Sequence, residues 1–238
     1  MNIENSVEKS EAYVLSHNKD SLAHTASLHS RSEEPAITIS YQTGVNVRDI
    51  AGKLANTLQK FELSVHQPWT VFNQQLVEKA LEEQHWPKEL AEKITEDKRF
   101  FIDELMDDLC GLRPPSWVFV PQVVKTILNS AATGYIILVG HGATVVTTRM
   151  LNVLHVRLTG SLPKRIERVQ KLRNLTPEAA AKFIRKDDRG RERFVKAYFH
   201  ARLENELLYD LSVNTDRISD DDAVAVIATV AQRFFSAL

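Results

Sequence analysis

The chain has 238 residues with 43% hydrophobic content, enough to bury one substantial core, and an α/β unit of about 200 residues is commonly a single domain. Thirty basic side chains against thirty-one acidic ones leave a net charge of -1, which excludes a global field drawing the protein onto nucleic acid or anionic lipid and requires any anion site to be local. The single cysteine, Cys110, excludes an intramolecular disulfide, and no stretch approaches the ~18 apolar residues needed to cross a bilayer, so a reducing, cytoplasmic location is expected.

Residues 1–34 are rich in Ser, His, Glu and Asn and poor in large apolar side chains, so a disordered acidic tail is expected ahead of a folded domain over 35–238. Leu15, Leu22 and Leu28 leave open a docking helix for a protein partner. Nothing at the start has the basic and apolar pattern of a secretion signal.

Order is expected from Ala36-Ile37-Thr38-Ile39-Ser40, a β-branched run read as a strand. After a polar turn around Gly44, Ile50, Leu54 and Leu58 recur at the spacing of a helical core face. A second strand at Trp69-Thr70-Val71-Phe72 leads to a helix over about 74–84 with Leu76, Ala80 and Leu81 on one side. Pro87 suits the first turn of another helix, and residues 100–112 form a third, with Phe101, Leu105 and Leu109 at spacing four. Pro121 is expected to open a helix with Val124, Ile127, Leu128 and Ala131 turned inward. Tyr135-Ile136-Ile137-Leu138-Val139 is a continuous apolar run, the pattern of a central parallel strand covered on both faces.

Residues 153–158 read as the next strand, and Ser161 can cap a helix bearing Ile166, Val169 and Leu172. Thr176-Pro177-Glu178 supplies a cap, a first-turn proline and an early carboxylate for a helix running towards Asp188. The last strand is expected over 209–213, followed by a terminal helix capped near Ser219 with Val224, Ile227, Val230 and Phe234 inward. Strands alternating with helices in this way imply right-handed crossovers and a parallel, doubly wound sheet.

The junction Ser40-Tyr41-Gln42-Thr43-Gly44-Val45-Asn46-Val47-Arg48-Asp49 places backbone N–H groups and the positive end of a helix dipole together, an arrangement that binds phosphate. It lacks the GxxxxGK[ST] pattern, and alone it reads as an ordinary turn more readily than as a phosphate cradle. No HExxH or GxSxG occurs.

Taken together, several segments resemble the cytidylate kinase-like family. Residues 37–51 are similar to the family's opening ISRQYGSGGREIA, with Gln42, Gly44, Arg48, Ile50 and Ala51 matching. YIILVGHGA over 135–143 resembles its strand and turn VIVGRGA, and residues 152–156 follow as its N-x-L-H-V strand. IRKDDRGRERF over 184–194 resembles its lid, in which an Asp is followed three residues later by an Arg, here Asp188 and Arg191. YDLSVNTDRIS over 209–219 matches it most fully.

The resemblance implies a P-loop NTPase-type three-layer sandwich: a central parallel five-stranded sheet, helices on both faces, and a helical lid over roughly 174–205. It implies phosphoryl transfer from ATP with Mg2+ to CMP, dCMP or a similar nucleotide, chemistry that rests on positioning and charge neutralisation. On the family's pattern Gln42, Thr43, Gly44, Val45, Asn46, Val47 and Arg48 would hold the donor. Arg185, Arg189 and Arg191 would meet phosphates with Asp188 orienting an arginine, and Asn73, His141 and Gly142 would face the acceptor. No residue is assigned to a metal.

Gly-Ser-Gly-Gly of the family is Gly44-Val45-Asn46-Val47 here, and β-branched valines do not readily take the positive φ that lets a backbone close on phosphate. Asn73 stands where relatives place an Asp and His141 where they place an Arg; a helix cap and an exposed loop histidine are the plainer readings of these two. Departures gather at the site, so an active kinase and a catalytically impaired nucleotide-binding or protein-interaction module are both carried forward. Residues 164–202 hold thirteen Lys or Arg against five Asp or Glu, but few aromatics interleave, and nucleic acid is not the expected partner.

Overall fold

The computed structural model describes residues 34–61, 67–72, 116–140 and 142–237. Residues 1–33 of the expected tail, the three helices expected between residues 74 and 112, Cys110, Asn73 and His141 lie outside these residues.

Five parallel strands make one sheet in the order β2-β3-β1-β4-β5. They are β1 (Ala36–Tyr41), β2 (Thr70–Phe72), β3 (Ile136–Val139), β4 (Val153–Thr159) and β5 (Leu211–Asn214). The fold class expected from the sequence is the one found. Alternation along β1 and β4 sends Ile37, Ile39, Leu154, Val156 and Leu158 to one face, where they form the largest core cluster. The helices α1 (Val47–Phe61) and α6 (Asp220–Phe235) cover that face, contributing Ile50, Leu54, Ile227 and Ala231.

On the opposite face lie α2 (Ser116–Thr133), the short α3 (Ala143–Val146) and the C-terminal half of α5 (Pro177–Phe199). Val123, Ile127 and Ala143 pack there on Ala36, Leu138 and Val153, and Val124, Val145, Phe194, Val195 and Phe199 form a second cluster among the helices. The N-terminal half of α5 leaves the sheet and packs with α4 (Leu162–Arg173) through Val169, Ala180 and Ile184. One helix thus joins the core to the lid, a length of ~35 Å at 1.5 Å per residue.

β1 pairs with β3 only from Ala36 to Ile39, but with β4 from Ala36 to Tyr41. The end of β1 therefore stays paired with β4 beyond its pairing with β3, at the carboxyl end of the sheet where the order of connection reverses. Ligands of open α/β sheets bind in such places.

Several boundaries differ from expectation for local reasons. α2 starts at Ser116 and continues through Pro121, so the proline opens no helix. α5 runs on to Phe199, past Asp188, because Phe194, Val195 and Phe199 have a core to enter. β2 begins one residue late, as the Trp69 N–H donates to Gln59 Oε1 at 2.9 Å. β5 begins at Leu211, because Tyr209 ends a 3-10 turn over Glu206–Leu208 and gives its hydroxyl to the Leu203 carbonyl at 2.8 Å.

The N-x-L-H-V segment has a structural explanation. Asn152, buried, donates from Nδ2 to the carbonyls of Glu34 at 2.7 Å and Ala131 at 3.1 Å, tying the approach to β1 to the end of α2. His155, also buried, stands between Thr147 Oγ1 at 3.1 Å and Asp210 Oδ2 at 3.2 Å. Burial pushes the Asp210 carboxyl up, but hydrogen bonds from His155 outweigh it and hold the group below its usual range. No helix among the described residues is long and apolar enough to cross a membrane.

Replacing Asn152 by Ala removes both donors and leaves the Ala131 carbonyl buried without one. A loss of about 1–3 kcal/mol is expected, read as a lower urea midpoint at unchanged m-value.

Candidate functional site

The site forms where β1 turns into α1. Gln42 ends the strand with its N–H on the Leu158 carbonyl at 3.2 Å, and its Oε1 accepts the Gly160 N–H at 3.0 Å. A tight turn follows, closed by the Val45 N–H on the Gln42 carbonyl at 3.1 Å. Gly44 lies in the left-handed region at φ 95°. A Cβ there would sit 2.8 Å from the carbonyl oxygen of Arg165 and 3.0 Å from its Cα, so backbone of α4 rests directly on the loop. Val45 and Val47 are buried in the main core beside Ile50 and Leu54 and anchor the loop from beneath.

Thr43, buried, is the focus of the polar contacts. Its N–H donates to Asp188 Oδ1 at 2.9 Å. Its hydroxyl lies 2.7 Å from the same oxygen and 2.5 Å from Asp187 Oδ2, and it accepts from the Arg191 guanidinium. Arg165, 9% exposed, donates to the Thr43 carbonyl at 3.1 Å and to Asp188 Oδ2 at 2.7 Å. Arg191 reaches Asp188 Oδ1 at 2.6 Å and stacks over the Tyr41 ring at 4.5 Å. Two carboxylates thus face two guanidiniums, and the cluster is closed in charge.

Burial pushes the Asp188 carboxyl up, yet the Thr43 amide, the Arg191 charge, the Thr43 hydroxyl and Arg165 together hold it below the ordinary carboxylate range. A carboxylate on a βα-loop amide near a helix N-terminus occupies the position that suits a phosphate oxygen. To one side, Asn46 Nδ2 donates to Asp220 Oδ2 at 2.7 Å, and Arg168 approaches Asp220 at 3.9 Å and the Gly44 carbonyl at 3.4 Å.

The expected site residues separate. Gln42, Thr43, Gly44, Val45, Asn46, Val47, Asp188 and Arg191 come together. Arg48 is exposed on the first turn of α1. Arg185 and Arg189 are exposed, each one residue beyond an inward-facing neighbour, Ile184 and Asp188, and so ~100° further round α5; they are not brought to the loop. Gly142, at φ 73°, makes room for a ring: a Cβ would meet Phe199 Cε2 at 2.6 Å. The sequence reading missed Arg165, Arg168, Asp187 and Asp220. The i, i+3 spacing of Arg165 and Arg168 puts them on one side of α4, but only tertiary packing reveals that this side meets the loop.

The model of the cytidylate kinase-like family matches residues 36–217, from the start of β1 to the turn after β5. The chain belongs to the cytidylate kinase-like family. Its structure is similar to that of an uncharacterized protein from Eubacterium ventriosum, at 14% identity and TM-score 0.62, covering 84% of this chain and 99% of that one. A shikimate kinase from Bacteroides thetaiotaomicron aligns at TM-score 0.47 and 14% identity over 85% of this chain and 98% of its own. A uronate isomerase from Corynebacterium glutamicum is 30% identical over 114 residues, 48% of this chain but only 22% of that protein, so the chain spans about a fifth of that relative's length.

In this arrangement a phosphate would have to displace Asp188 from the Thr43 amide, while α4 lies on Gly44 and both valines are packed in the core.

Gly44→Ala forces a Cβ against backbone at positive φ and is expected to cost about 2 kcal/mol in chemical unfolding. The acid dependence of stability has a definite sign. The folded-state pKa of Asp188 lies below its unfolded value of about 3.9, so the cluster's contribution is complete above that value and is lost as pH falls through the folded pKa. Unfolding free energy measured between about pH 5 and pH 2 is therefore expected to fall less steeply in Asp188→Asn than in the wild type.

Proposed function

We propose that this member of the family is a nucleotide-binding protein in which phosphoryl transfer is suppressed, the donor loop being latched by its own lid carboxylate. The observation that carries this reading is the 2.9 Å bond from the Thr43 N–H to Asp188 Oδ1. An entering phosphate has to displace a carboxylate already neutralised by Arg165 and Arg191, so binding is weakened by the strength of those contacts. Buried valines on either side of Asn46 support the same reading, since a loop anchored in the core has little freedom to reshape.

A second reading, an active CMP or dCMP kinase using ATP with Mg2+, draws on the left-handed Gly44 and the exposed Arg48 beside the loop. One set of measurements separates the two. A coupled assay with ATP, Mg2+ and CMP or dCMP is expected to give no turnover above buffer, while calorimetry detects weak ATP binding. Asp188→Asn leaves Arg165 without a carboxylate and Arg191 with Asp187 alone, and is expected to bind ATP at least about fivefold more tightly, roughly 1 kcal/mol. Turnover by the wild type would establish the kinase reading. Weaker ATP binding by the variant would remove the latch.

A further inference from the structure

We propose that Asp216, in the turn after β5, is a positioning residue for the donor loop: it holds the first turn of α4 so that Arg165 reaches Thr43 and Asp188. Its consequence for nucleotide binding depends on the latch described above; the geometry does not.

α4 lacks the means to finish its own N-terminus. Ser161 stands at the N-cap position expected of it, but its side chain makes no capping bond, and the first turn of Leu162, Pro163 and Lys164 holds no acid. In a capping box the third helical residue is a Glu or Gln that reaches back to the N-cap N–H. Here that residue is Lys164, a donor only. The Ser161 N–H is met instead from 55 residues further along the chain, lying 3.0 Å from both Oδ1 and Oδ2 of Asp216. Lys164 reaches the same turn, donating to the Asp216 carbonyl. A carboxylate at this place also answers the positive end of the helix dipole, which the first turn of α4 leaves open.

From Asp216 a line of direct contacts leads to the loop. The Arg165 N–H donates to the Ser161 carbonyl at 3.1 Å, closing the turn that Asp216 holds. Arg165 Nε donates to the Gly160 carbonyl at 2.9 Å, and a Cβ on Gly160 would stand 3.2 Å from Asp216 Oδ1, so carboxylate and backbone are closely apposed. The far end of the guanidinium then meets Thr43 and Asp188. Asp216 is itself fixed, its N–H donating to Asn214 Oδ1 at 2.9 Å. Beside it Thr215 holds the Thr159 carbonyl through both N–H and hydroxyl at 2.9 Å, which anchors the turn on the end of β4.

Apolar packing does not supply this placement. Val169, Ala180 and Ile184 form a cluster confined to α4 and the first half of α5, and among the described residues no side chain of the sheet, α1 or α6 belongs to it. Polar contacts therefore set where α4 lies over the loop. Outside the Thr43 cluster these are the ties to Asp216 and those of Arg168, which are long, at 3.4 Å to the Gly44 carbonyl and 3.9 Å to Asp220.

The test is amide hydrogen exchange followed by NMR on the full chain, comparing Thr43 with Val156 in the middle of β4. Asp216→Ala removes the acceptor, whereas the side-chain carbonyl of Asp216→Asn can still take the Ser161 N–H. In Asp216→Ala the Thr43 amide is expected to exchange at least about threefold faster than in the wild type with Val156 unchanged, and Asp216→Asn to restore most of the protection. An unaltered Thr43 rate in Asp216→Ala overturns the proposal. So does an equal acceleration at Val156, the mark of a general loss of stability, or no recovery in Asp216→Asn. ATP binding to Asp188→Asn judges the latch separately, so either can fail while the other stands.

Discussion

The carboxylate of Asp188, hydrogen-bonded to the Thr43 amide and held between Arg165 and Arg191, is the contact on which the arrangement of this end of the molecule depends. It joins three segments far apart in sequence: the first strand-to-helix turn, the start of α4 and the middle of α5. Without it, Arg191 would keep only the carboxylate of Asp187 near a helix N-terminus and Arg165 would be left with none, an arrangement that is costly in a partly dry site. The lid rests where it does because this carboxylate meets the same electrostatic demand that a phosphate would meet.

That demand is built into the topology. A parallel sheet that releases its central strand into a helix leaves N–H groups pointing out of the carboxyl edge, and some anion has to answer them. Here the anion is internal. The family's serine and last glycine are Val45 and Val47 here, and both side chains are buried in the main core. Gly44 is required by the fold itself, since its φ is positive and α4 backbone lies on it.

Much of the fold was legible in the sequence because it rests on one-dimensional patterns. The apolar run ending in Val139, the i, i+4 recurrence of Ile50, Leu54 and Leu58, and the caps at Thr176 and Ser219 all lead to observed elements. Boundaries set by tertiary contacts were not legible. Nothing near Asp188 announces that α5 continues to Phe199, because the core that Phe194 and Phe199 enter is supplied by α2 and α3. Within the candidate site, Asp188 and Arg191 were found through their motif, whereas Arg165 was not, since a buried arginine and an exposed one look alike in sequence. Arg185 and Arg189 are exposed and away from the loop, and a cluster of basic residues in sequence does not say which members turn inward.

The central claim is that the Asp188 carboxylate holds the Thr43 amide. Following the Thr43 amide resonance by NMR as pH is lowered tests it most directly. A titration step with a midpoint below the ordinary aspartate value of about 3.9, absent in Asp188→Asn, is the predicted result. A Thr43 resonance that does not respond, or responds identically in the variant, would contradict it.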